Sequence, residues 1–156
     1  MNITSIRDLL AEQLALRGLE ASDLELMSGC GHNEVFEAGA FVARENDEAN
    51  RFYVVREGKV ALEVHAPTGP LLIETIGAGD LVGWSWLFPP YRWVYDVEAL
   101  ERTHAVVIEA ACLRDKCDAD PAFGYRVMTR FARVMVGRLQ ANRLRLLDLY
   151  GGDDAR

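Results

Sequence analysis

Hydrophobic spacing changes twice along the chain. Between residues 5 and 16, Ile6, Leu9, Leu10, Leu14 and Leu16 fall mostly on one helical face, which predicts an amphipathic helix. A second short helix is predicted over 21–28, starting at the cap candidate Ser22. From residue 33 to 109 the period becomes two. The runs EVFEA, AFVAR, RFYVVREG, KVALEVHA, PLLIETI, VYDVEAL and HAVVIEA are alternating or apolar throughout, and EAGA, ENDEAN, REGK, PTGP and GAGD punctuate them. Seven or eight strands spaced about ten residues apart predict a β-sandwich or jelly-roll barrel. REGK, between two apolar strands, predicts a tight hairpin with Gly58 at positive φ.

From Glu109 the helical period returns. EAACLRDKC reads as a short helix. Asp120 is placed to cap, and Pro121 to open, a helix that runs to Tyr150 and ends in the glycines of YGGDDAR. Met128, Ala132, Met135, Leu139, Asn142, Leu146 and Leu149 follow one another by alternating steps of four and three, a heptad seam. Phe123, Val127, Phe131 and Val134 form a second apolar row. Two faces predict two contacts: the barrel, and a second copy in a parallel homodimer through residues 121–150, with Asn142 fixing the register. A single wide stripe on a monomer is the alternative. The fold class is therefore mainly β with flanking helices: a double-stranded β-helix or jelly-roll barrel, and a long C-terminal dimerisation helix. Residues 1–156 are expected to form one domain, with N-terminal helices over 1–30, the barrel over 33–109 and C-terminal helices over 110–150.

Composition narrows this picture. A chain of 156 residues suits one domain, and half of them are hydrophobic, enough for a sizeable core. No run of about eighteen apolar residues offers a membrane span, so no membrane partner is expected. The N-terminus lacks the basic start and unbroken apolar stretch of a signal peptide, and a cytoplasmic location is the expectation. A formal net charge of -7 argues against nucleic acid as the main partner. The charge is uneven, with seven arginines against three acids over 121–156. Those arginines form either a solvated helix face or a docking surface for an acidic partner or an anion. Cys30, Cys112 and Cys117 are an odd number with no paired framework, and reduced thiols are expected. His32, His65 and His104 stand alone in sequence. His65 and Glu63 share a strand face, a weak hint of a metal pair for a cupin-like enzyme, and an exposed strand face is the preferred account.

A helical start, a jelly-roll barrel and a long helix, in that order, resemble the cyclic nucleotide-binding domain of the Crp/Fnr family. FEAGAFVARENDEANRFYVVREGKVAL is similar to that family's opening signature, with Asn46 where glycine is common. Asparagine tolerates the left-handed geometry that glycine would supply. IGAGDLVG resembles the approach to the phosphate-binding cassette, and RVMTRFARVMVGRLQANRLRLL resembles the dimer helix. The glycines of GAGDLVG are not a dinucleotide fingerprint, because no helix pattern follows them; turn geometry is their expected use.

The resemblance implies a cassette at residues 83–95 in which backbone N–H groups of a short helix cradle a cyclic phosphate, an arginine neutralises it, and a glutamate after the glycine accepts from the ribose. Here the departures gather. Trp84 follows Gly83, and an indole donates but does not accept. Trp93 takes the arginine's place, and Arg92 reaches it only across a bulge. Candidate ligand-binding residues are Gly83, Trp84, Ser85, Trp86, Leu87, Arg92, Trp93 and, from the dimer helix, Asn142. Either the tryptophans plug the pocket, or they line a different one with Arg92 and Ser85 as polar anchors, suited to a cyclic nucleotide or another small planar ligand. Pro89 and Pro90 imply a rigid loop in both cases. No other cofactor and no catalytic residue is implied. Without a helix-turn-helix after the dimer helix, the chain is not expected to bind DNA directly. The reading is a stand-alone, non-enzymatic regulatory or sensor module acting through dimer or protein-partner contacts.

Overall fold

A computed structural model describes residues 4–151. The first helix, α1 (Ile6–Ala11), is capped by Ser5, whose Oγ accepts the Asp8 N–H at 3.1 Å. The helix expected over 5–16 stops at Ala11 and gives way to a 3-10 turn at Leu14–Leu16. Long-range bonds explain the break. The Ala15 N–H donates to the Gly79 carbonyl at 2.8 Å, and the Ala15 carbonyl accepts from Arg130, so main-chain groups that a helix would pair are used elsewhere. Helix α2 (Ala21–Ser28) begins at Glu20 rather than Ser22: the Glu20 N–H donates to the Asp23 carboxylate at 3.2 Å.

Eight strands follow: β1 (Gly31–Phe36), β2 (Phe41–Ala43), β3 (Arg51–Glu57), β4 (Lys59–Ala66), β5 (Gly69–Gly77), β6 (Leu81–Val82), β7 (Asp96–Ala99) and β8 (Thr103–Glu109). They make two antiparallel four-stranded sheets, ordered β1-β8-β3-β6 and β2-β7-β4-β5, the jelly roll expected from the pattern. Strand β6 has only two residues, too few to show a period. Gly58 does take positive φ (98°), but REGK is not a hairpin. Its strands, β3 and β4, lie in different sheets, so Gly58 turns the chain from one layer to the other. A Cβ there would lie 2.5–2.7 Å from Thr103 and the Arg102 carbonyl, so only glycine fits. The tight hairpin is β4–β5, where Ala66 pairs with Gly69.

In β3, Phe52 to Val55 are all buried, because one face lines the roll and the other lies under the C-terminal helices. Helix α3 (Ala110–Ala119) leads to α4 (Pro121–Gly151), which Asp120 caps by accepting the Phe123 N–H at 3.2 Å. Phe123, Val127 and Phe131 are buried against the body, with Val134 packed beside them, as the second apolar row anticipated. Past residue 135 the apolar side chains face outward, Leu139 being 70% exposed. The cysteine expectation is overturned. Cys30 and Cys112 form a disulfide, Cα atoms 5.6 Å apart, that joins the end of the N-terminal helical segment to α3, and Cys117 remains a thiol. An 82-residue separation hides such a pairing from sequence spacing.

Candidate functional site

The loop between β6 and β7, residues 83–95, contains turns and no helix. Three of its backbone donors are already bonded within the protein. The Leu87 N–H donates to the Trp84 carbonyl at 3.0 Å, the Tyr91 N–H to Phe88 at 3.0 Å, and the Trp93 N–H to Asp47 at 2.9 Å. No helical N-terminus is left here to cradle an anion. Gly83 has φ 103°, and a Cβ on it would sit 2.6 Å from the Trp93 ring. Its missing side chain is thus the space that Trp93 occupies.

The three tryptophans part company. Trp93, 4% exposed, lies 6.2 Å from Tyr53 and 6.3 Å from Tyr95, ring centre to ring centre. Tyr53 in turn meets Phe36 edge-on at 5.8 Å, and Tyr95 meets Trp84 edge-on at 5.7 Å. Phe36, Tyr53, Trp93, Tyr95 and Trp84 therefore form one continuous file of rings. Trp86, 1% exposed, stacks on Phe52 at 4.9 Å and meets Phe131 edge-on at 5.2 Å. Phe52 and Tyr53 are consecutive on β3 and face opposite ways, so Trp86 and Trp93 pack on opposite faces of one sheet. Trp86 belongs to the seat of α4 rather than to a wall shared with Trp93. Leu87 is half-buried, and the Trp86 carbonyl accepts from Arg114 Nη1 at 2.7 Å.

Arg92 is exposed, and its Nη1 donates to the Asn46 carbonyl at 2.8 Å, on the neighbouring turn. Asn46 itself sits at φ 73°, the left-handed geometry that the sequence allowed. Ser85 and Asn142 are half-buried. The Pro89–Pro90 peptide is cis. The arrangement thus brings Gly83, Trp84 and Trp93 together, and sets Trp86, Leu87 and Arg92 apart from them.

Sequence reasoning saw Tyr95 only as one of the bulky residues around Trp93, not as a site residue, and missed Arg138. Tyr95 stands two residues from Trp93 in a strand-like run, the spacing that puts both on one side. Its phenol is buried without a hydrogen-bond partner, and burial pushes its pKa well above the ordinary tyrosine value. Arg138 lies one helical turn before Asn142. Only 8% exposed, it reaches from α4 to the entrance of the loop. Its Nη2 donates to Asp80 Oδ1 at 2.9 Å and to the Leu81 carbonyl, and its guanidinium lies 5.8 Å from the Trp84 ring centre. On the outer face of the other sheet, His65 Nε2 pairs with the buried Asp96 at 2.8 Å. Among the described residues no three His, Cys, Asp or Glu side chains gather as a metal site would require.

A two-sheet roll followed by a long helix, with a turn-rich loop between its sixth and seventh strands, defines the class of jelly-roll modules that carry a C-terminal helix. The profile of the cyclic nucleotide-binding domain matches residues 33–120, and the chain belongs to that family. Solved structures agree on the fold. A cyclic nucleotide-binding protein from Geobacter metallireducens GS-15 superposes with a TM-score of 0.77 at 23% identity, covering 88% of this chain and 99% of that one. The N-terminal domain of a transcriptional regulator from Streptomyces coelicolor A3(2) gives 0.69 at 22%, over 86% and 94%. The sensor domain of the regulator DNR from Pseudomonas aeruginosa gives 0.68 at 14%, over 86% and 91%. No curated protein matches the sequence significantly. Domains of this family are in general regulatory rather than catalytic, and no described helix is long and apolar enough to cross a membrane.

Proposed function

We propose that the chain is a non-enzymatic regulatory module whose cassette is closed by its own aromatic side chains, and which signals through α4 to a second copy or a protein partner. One observation carries this reading: the Trp93 ring fills the space beside Gly83 that a phosphate would need for close backbone approach. Two others support it. The loop has no helix, and Arg138 already ties α4 to the cassette entrance at Asp80 and Leu81, a closure that needs no ligand. The exposed seam residues Met128, Ala132, Leu139, Leu146 and Leu149, with half-buried Met135 and Asn142, supply the face for a second copy.

A second reading, a cyclic nucleotide sensor with an altered code, draws on the buried Tyr95 hydroxyl that has no partner, a group a ligand could satisfy. Intrinsic tryptophan fluorescence, titrated with cyclic AMP, cyclic GMP and a cyclic dinucleotide, separates the two, since all three tryptophans sit in the loop. A flat response with blue-shifted emission is expected. A saturable change with one nucleotide sinks the closed-cassette reading and establishes the sensor.

A further inference from the structure

The arginines of α4 have a use that the cassette does not explain. Between α4 and the loop 77–80 lies a crevice of about 410 Å³, in the size range of small-molecule sites. None of the residues 83–95 lines it. Its walls are bare at two facing elements: Cβ atoms added to Gly77 or Gly137 would meet nothing within 4 Å. Three guanidiniums, from Arg130, Arg133 and Arg138, line it against two carboxylates, Glu74 and Asp80, so it is locally cationic on an acidic protein.

We propose that this crevice binds a small phosphorylated molecule. The first ground is unbalanced charge. The arginine ion pairs on this side of α4 belong to Arg126 and Arg138; Arg130 and Arg133 have no carboxylate partner among the described residues. Arg130 is nevertheless fixed, because it donates to the Ala15 and Leu14 carbonyls, neutral acceptors that hold the group without cancelling its charge. The second ground is an unmet donor. Arg138, more than nine-tenths buried, carries an Nε–H for which the protein supplies no acceptor. A buried donor of this kind calls for a partner from outside. Planar guanidiniums match phosphoryl oxygens in pairs, which makes phosphate the anion of choice over chloride.

The probe is inorganic pyrophosphate, titrated calorimetrically into the full chain at constant ionic strength with chloride as the control anion. One saturable site is expected. Arg133→Gln, at an exposed position, weakens it by about tenfold, the loss of one charge-assisted contact. Arg143→Gln, on α4 but outside the crevice, leaves it unchanged. Heat indistinguishable from the chloride control overturns the proposal. So does an affinity that Arg133→Gln leaves alone, or one that Arg143→Gln lowers as much, since that marks diffuse charge attraction. The outcome stands whether or not the cassette takes a cyclic nucleotide.

Discussion

Trp93 shows how much one residue decides here. Its ring stands where Gly83 lacks a side chain, and its neighbours are Tyr53 and Tyr95. Trp93→Ala empties that volume, and a loss of about 3–5 kcal/mol in urea unfolding is expected, as for other large-to-small core changes. Asp23 is the second decisive residue. Its carboxylate is buried and accepts from Arg126 Nε at 3.0 Å and Nη2 at 2.8 Å. The Arg126 hydrogen bonds hold its pKa below the ordinary value of 3.8. A depressed folded-state pKa contributes stability that is complete above the unfolded value and fades as pH falls through the folded one. Arg126→Gln removes the cause, so acid unfolding followed by circular dichroism should begin at a higher pH than in the parent. At this scale the sequence was partly readable. Trp84 and Trp93 stood out as misfits in a ligand cassette, but which of them fills the space depends on Gly83 and on rings from distant strands. Asp23 gave no signal, since its partner is 103 residues away.

Among the elements, α4 was the most legible, because its two apolar rows repeat often enough for the period to show. The inner row seats on Phe52 and Trp86, and the outer row is exposed except at half-buried Met135 and Asn142. The proposed pairing of two copies predicts that Leu139→Lys with Leu146→Lys leaves the urea midpoint nearly unchanged, the sites being exposed, while sedimentation shifts to a single-chain mass. A dimer persisting in the double variant places the contact elsewhere. Helix 5–16 and the REGK turn were misread for a shared reason: local pattern proposes, and remote hydrogen bonds or sheet switching decide. Gly79 and Arg130 capture the main chain of Ala15, and Gly58 carries the chain between layers. The disulfide is the extreme case. Cys112→Ser opens a loop of about 80 residues and is expected to cost roughly 4 kcal/mol on a chain-entropy estimate, with a lower thermal midpoint. Mass spectrometry after alkylation without reductant checks the bond itself: one reactive thiol per chain, Cys117, is expected.

On the scale of the whole molecule, arginines stitch α4 to the body in sequence order. Arg126 reaches Asp23 of α2, Arg130 the 3-10 turn, and Arg138 the entrance to the cassette. The fold class was readable because the strand period and the two helical ends are each long. This row of tethers was not, since none of the three acceptor sites lies within 50 residues of its arginine.

The spacing of the tethers makes α4 a lever. From Arg138 to Leu149 the helix runs eleven residues, about 16 Å at the usual rise. Pivoted at Asp80, a tilt of about 10° would swing its free end by roughly 3 Å, more than half a helical turn of rise. A bend confined to the segment beyond Arg138 would leave Phe131 seated and carry Leu149 out of step with whatever lies against it. In the proposed signalling through α4, the free length beyond the last tether is what converts a small change of angle into a displacement that another protein surface could register.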